Sequence, residues 1–206
     1  MGHFSKRSLY PNIRILTLVF FILGSTTLYS QKKDSIYDGD KTIVINNNKF
    51  KVYNNWLSGG AGEINNFTRE GYEFTLGADY NFHVKANYFQ LGFCLSGFDL
   101  NNFKDYDYHF ALGKRIENTK YNFAFFIGPA YATGNIKING TYADGKFYNK
   151  LSLYGSIQMT KKIKYDVGIG PTLFFDLNQY QQMAGIRIDI FLSGAYKGKD
   201  KKDKLD

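Results

Sequence analysis

Along residues 184–196 (AGIRIDIFLSGAY) apolar and polar positions alternate with a period of two. Ile186, Ile188, Ile190 and Leu192 share one face of an extended chain; Arg187, Asp189, Phe191 and Ser193 share the other. Period two is the signature of a strand with two unlike faces. The first face is continuous hydrocarbon and must be covered by a core or by lipid. The second carries an arginine and an aspartate near its middle, and ionised groups must be wet or internally paired.

The pattern recurs through the chain. Residues 72–82 set Tyr72, Phe74, Leu76, Ala78, Tyr80 and Phe82 against Glu73, Thr75, Gly77, Asp79 and Asn81. Residues 89–96 set Phe89, Leu91, Phe93 and Leu95 against Gln90, Gly92, Cys94 and Ser96. Further strands are predicted at 106–113, 121–131, 151–160 and 165–176, and a first, less regular one at 50–63, blurred by Asn54-Asn55 and Gly59-Gly60. The total is eight, an even number, as bacterial single-chain membrane barrels have. Connections at 83–86, 114–120 and 161–164 are short and basic. Those at 65–71, 97–105, 133–149 and 177–182 are longer and rich in Asn, Asp, Gly and Tyr. Short turns at one end and long loops at the other is the outer-membrane layout, with the short side and both termini periplasmic.

Composition agrees. The chain has 17 Tyr, 19 Phe and 21 Gly but only 3 Pro, and an aromatic share of 18%, which points to an all-β protein. The net charge of +8 raises nucleic acid as a partner, but the bases sit in turns and at the C-terminus and no nucleic-acid motif accompanies them. Anionic lipid head groups are the better match. Cys94 is the single cysteine, which excludes an intramolecular disulfide and a cysteine zinc site. It reads as a small buried residue.

The N-terminus reads as an address. Residues 1–14 are polar and basic, residues 15–23 (ILTLVFFIL) are apolar apart from Thr17, and small residues follow. This is the layout of a secretory signal peptide, with cleavage expected after Ser30. The apolar run is short for a membrane-spanning helix. Residues 31–49 read as a periplasmic lead with a turn at Asn46-Asn47-Asn48, residues 50–196 as the barrel, and residues 197–206 (KGKDKKDKLD) as a charged periplasmic tail.

Alternation reads the same inside out, so a soluble lipocalin-like barrel binding an apolar ligand is the competing architecture. Three features favour the membrane. The polar stripes are mostly small or neutral, as a narrow lumen requires. Lysine avoids strand centres, where a charge facing lipid costs about 2–4 kcal/mol at the bilayer midplane. Tyr and Phe recur near both ends of the apolar stripes, as in interfacial girdles. On these stripes, over about residues 50–196, the chain resembles the small eight-stranded outer-membrane β-barrel proteins of the OmpA-barrel and surface-antigen type. The resemblance is one of pattern rather than motif, and it implies export and assembly into an outer membrane. Two departures stand out: a charged tail follows Tyr196 where a terminal aromatic is expected, and a peptidoglycan-binding domain after the barrel is not expected.

The predicted lumen carries Glu73, Asp79, Asp107, His109, Asp166, Asp176, Arg187 and Asp189. Arg187 is the expected hub of an interior ion-pair network, because its guanidinium offers five donors in a fixed fork and interior charges need partners. His109 is the one histidine inside a predicted strand. Paired with Ser96 or Ser58 it would suit a lipid-modifying hydrolase; among aspartates it is a satisfied interior group. No metal-ligand spacing, phosphate loop or triad motif is present, and no cofactor is implied. The longest outer loop, 133–150, contains Asn-Gly and Asp-Gly steps and reads as a projecting hairpin whose Tyr142, Phe147 and Tyr148 form a candidate partner-binding patch. The reading is a non-enzymatic outer-membrane barrel with a structural, adhesion or complex-accessory role. Its partners would be outer-membrane lipid and a protein docked on the outer loops or the tail.

Overall fold

The structure, a computed structural model, describes residues 42–68, 71–85, 87–99, 102–138 and 141–199. The signal peptide, most of the lead and the end of the tail lie outside the described residues. A short hairpin comes first, β1 (Thr42–Ile45) and β2 (Asn48–Lys51). Asn46 and Asn47 both have positive φ (48° and 58°), the left-handed pair that a two-residue hairpin turn requires and that asparagine tolerates. Eight longer strands follow: β3 (Trp56–Asn66), β4 (Gly71–Val84), β5 (Asn87–Asp99), β6 (Asn102–Glu117), β7 (Tyr121–Ile138), β8 (Thr141–Lys164), β9 (Val167–Leu177) and β10 (Gln182–Ser193). They pair antiparallel in sequence order, and β10 closes on β3 with Arg187 opposite Gly62 and Asp189 opposite Gly60.

The fold is therefore an all-β, closed, eight-stranded up-and-down barrel. Its polarity settles which way the alternation faces. Leu91, Tyr108, Leu112, Leu151, Ile169, Ile188 and Ile190 project outward, each 45–77% exposed. Asp79, Gln90, His109, Gln158, Thr172 and Arg187 face inward and are at most 2% exposed. A lipocalin-like barrel with an apolar interior has the reverse arrangement.

Several boundaries differ from the expected ones. The first barrel strand begins at Trp56, because Phe50 belongs to β2. The stretches 97–105 and 133–149 are mostly paired strand: Phe98 opposes Phe103, and Lys137 opposes Tyr142. Asp144-Gly145 is not a second hairpin turn but lies within β8, beside a register shift near Asn135. Tyr196–Lys199, expected to end the barrel and begin a tail, forms β11 and pairs with β2 to give a three-stranded sheet, β1-β2-β11. Phe50 joins Tyr165 and Ala195 in a small apolar cluster beneath that sheet, flanked by Ile43 and Ile45. Tyr53 N donates to Glu117 Oε1 (3.3 Å), tying the segment after β2 to the barrel's short-turn end.

Candidate functional site: the lumenal network

The inward face holds a continuous column of polar side chains. At its centre Arg187 Nε donates to Asp189 Oδ1 (2.5 Å) and Arg187 Nη2 to Asp189 Oδ2 (2.9 Å) on the same strand. Nη2 also donates to Asp79 Oδ2 on β4 (2.5 Å), two strands away. The guanidinium can cross β3 because that strand is floored by Gly60 and Gly62. It rests where a Cβ on Gly77 would lie 1.9 Å from its Nη1. Gly92 opens similar room, since a Cβ there would lie 2.3 Å from Asp79 Oδ1 and 2.5 Å from His109 Nε2. The lumenal glycines are thus the complement of the large ionised side chains.

His109 lies between two acids. Its Nε2 is 2.8 Å from Asp79 Oδ1 and its Nδ1 is 2.9 Å from Asp107 Oδ1. Tyr154 stacks on the ring with centroids 3.7 Å apart and planes 5° from parallel. With a carboxylate at each nitrogen, both nitrogens are engaged by acids and neither is paired with a hydroxyl nucleophile. Ser58 accepts from Gln158 Nε2 (3.1 Å) and Asn81 Nδ2 (3.4 Å), and His109 has no contact with it. A serine–histidine hydrolase built on His109 is not what this geometry forms. Among the described residues no group of three or more His, Cys, Asp or Glu side chains is placed to hold a metal ion.

Neutral side chains extend the network both ways. Thr172 Oγ1 donates to Asp189 Oδ2 (2.7 Å), Ser156 Oγ to Gln90 Oε1 (3.0 Å), and Gln90 Nε2 to Asn81 Oδ1 (3.2 Å). Toward the loops, Ser152 Oγ donates to Asp176 Oδ2 (2.9 Å), while Asp176 Oδ1 and Asp107 Oδ2 are buried without a donor. Tyr148, expected as a docking residue, is 3% exposed. Its hydroxyl donates to Gln181 Oε1 and lies 3.2 Å from Asp105 Oδ1. It closes the lumen from above, because its even position falls on the inward face of β8. The side chains of Tyr142 and Phe147 lie outside the described residues.

Two other expected members sit elsewhere. Asp166 is in the turn between β8 and β9, where its carbonyl accepts from Ser193 N (2.8 Å). It is not a lumenal residue, because β9 begins only at Val167. Glu73 is half-buried at the loop end of the inward face of β4. Cys94 is buried, with its Sγ 3.0 Å from Thr75 Oγ1.

A second cluster, at the short-turn end, escaped the sequence reading. Arg115 lies over the Trp56 ring, 4.2 Å from its centroid, and donates from Nη2 to Glu117 Oε2 (2.7 Å) and from Nη1 to Asn54 O (2.8 Å). Lys162 Nζ donates to the same Glu117 oxygen (2.7 Å) and lies 4.0 Å from the Tyr165 ring centroid. Trp56 Nε1 donates to Gln158 Oε1 (3.1 Å), so this plug is joined to the central network. Burial pushes the hydroxyl of Tyr165, in the β8–β9 turn, up to about 12; Glu117 adds to the shift and Arg115 opposes it. The missed signal was parity: Arg115 and Glu117 continue the odd-numbered inward face of β6, and Lys162 the even-numbered face of β8.

Comparison with solved structures finds the same class of fold. Neisserial surface protein A superposes with a TM-score of 0.50 at 8% identity, covering 67% of this chain and 96% of that one. The N-terminal β-barrel domain of Pseudomonas aeruginosa OprF gives 0.48 at 11% identity, covering 68% and 98%. Ail, the attachment invasion locus protein of Yersinia pestis, gives 0.46 at 12% identity, covering 70% and 99%. No protein-family model and no curated protein sequence matches the chain. The protein resembles the small eight-stranded outer-membrane β-barrel proteins in fold.

Proposed function

We propose that this chain is exported by a cleaved signal peptide and resides in the outer membrane of a Gram-negative type envelope as a non-enzymatic barrel. The role we assign is structural, adhesive or accessory to a larger membrane complex. The observation that carries the reading is the barrel's polarity: a broad outward apolar surface around a lumen in which paired charges are packed among buried apolar side chains. Contiguous apolar surface of this kind on a monomer marks a membrane or a partner. An eight-stranded interior is just wide enough for side chains to fill it, and here Arg187, His109, Tyr154 and Gln158 do so. A filled lumen supports a sealed barrel rather than a porin-like channel and leaves the rims to make contacts.

Envelope fractionation followed by an unheated-against-boiled gel tests this. An outer-membrane fraction whose unheated band migrates differently from the boiled one is expected. Release without detergent and a single mobility would refute the reading.

A further inference from the structure

The short-turn end carries a basic groove that the network does not use. We propose that this groove binds the head group of an anionic phospholipid, with the acyl chains running along the adjacent apolar wall. The proposal rests on the membrane reading above. Among the described residues this end holds ten lysines and Arg115 against Glu117 and Asp166. A groove of about 580 Å³ opens between the three-stranded sheet and the turns β6–β7 and β8–β9. Phe50 and Tyr196 form an apolar wall, their rings 5.8 Å apart and edge to face. Lys120 and Lys164 line it, both exposed and in no ion pair among the described residues. Lys162, in contrast, is committed to Glu117. Asp166 is the one carboxylate on the lining, so the groove carries a net positive charge.

Position selects the ligand. Ile163, 72% exposed, forms part of the lining; beyond it on the same outward face come exposed Lys161, opposite Ile169 (45%), and then Met159 (37%). A ligand seated there meets two free ammonium groups at one end and hydrocarbon at the other. That is the chemistry of a phospholipid with a net negative head group. Basic residues at a membrane surface draw such lipids, and the attraction weakens with salt.

The test uses refolded protein in a zwitterionic detergent. Palmitoyl-oleoyl phosphatidylglycerol or the matching phosphatidylcholine is added, and retained lipid is counted by native mass spectrometry. Wild type is expected to retain phosphatidylglycerol in preference. Lys120→Glu/Lys164→Glu is expected to lose about tenfold or more of that retention, since each basic residue contributes about a fivefold factor. Lys85→Glu/Lys114→Glu, the same charge change elsewhere on this end, is expected to behave as wild type. Equal retention of the two lipids, an unaffected groove variant, or equal losses in both variants would each overturn the groove. The unheated gel separates the two ideas: a heat-shifting protein without lipid preference fails only this proposal, whereas absence of a heat shift fails the membrane reading beneath it.

Discussion

Replacing Arg187 with alanine is the sharpest test of the lumenal network. The substitution removes three charge-assisted hydrogen bonds, two to Asp189 and one to Asp79. Two buried carboxylates then lose their strongest donor. The loss is partial, because Asp79 keeps His109 Nε2 and Asp189 keeps Thr172 Oγ1. Breaking a buried ion pair by deleting one partner costs about 3–5 kcal/mol, and the surviving bonds argue for the middle of that range, about 4 kcal/mol. With a urea slope of about 2 kcal/mol/M the midpoint moves down by about 2 M. Trp56 is the single tryptophan and is buried against Arg115 at the lumen floor, so its fluorescence reports the transition directly.

Two companions separate charge from volume. Arg187→Lys keeps a cation but not the fork, and should lose about half as much. Arg187→Met combined with Asp79→Asn and Asp189→Asn removes the charges together, and should recover much of the loss, because neutral replacements of buried ion clusters are often harmless. If Arg187→Ala unfolds within about 1 kcal/mol of wild type, the lumen is wet enough to solvate both aspartates and the account of a packed ionic core is wrong.

Other expectations follow from the same geometry. Gly77→Ala should destabilise much as Arg187→Ala does, since its Cβ would occupy the guanidinium's place; equal urea midpoints for wild type and variant would show that Arg187 has another place to go. Asp176→Asn should be neutral or stabilising by about 1 kcal/mol, because Asp176 Oδ1 is buried without a donor, and a clear loss of stability would point to a bound cation or proton at that oxygen. The Tyr165 hydroxyl titrates near 10 unfolded and about 12 folded, so the folded state binds more protons between those values and stability must fall as pH rises through them. Tyr165→Phe should flatten that alkaline decline in unfolding experiments at pH 9–12, and an unchanged decline assigns it elsewhere.

The barrel itself was legible because an outward and an inward face impose period two on every strand. Parity alone placed Asp79, Asp107, His109, Arg187 and Asp189 on one face. Parity could not say who meets whom: Arg187 and Asp79 are 108 residues apart, and their contact exists only because β10 closes on β3 and β3 is glycine at the crossing. Where charge density rose, the reading stopped too early. Arg115, Glu117 and Lys162 were assigned to basic turns, although the strands run on and turn these groups inward. Lysine signals a solvated turn only when nothing nearby can pair with it, and here one glutamate takes both cations. The β11 strand was missed for a related reason, since a run of lysine and glycine looks disordered until β2 supplies its partner.

The outward face is a broad apolar surface, so it gives little preference for one closed arrangement over another. That specificity falls to the interior, where glycine, aspartate and arginine fit by size and charge together. Among the described residues the central side chains are at most a few per cent exposed, with Tyr148 above them and Arg115 below. On the proposed reading, contacts with the surroundings fall to the rims. One rim is the paired strand extensions past the apolar band, and the other is the lysine-rich end beneath the three-stranded sheet. Substitutions in the lumen should therefore change how tightly the barrel holds together, and substitutions at the rims should change what it binds.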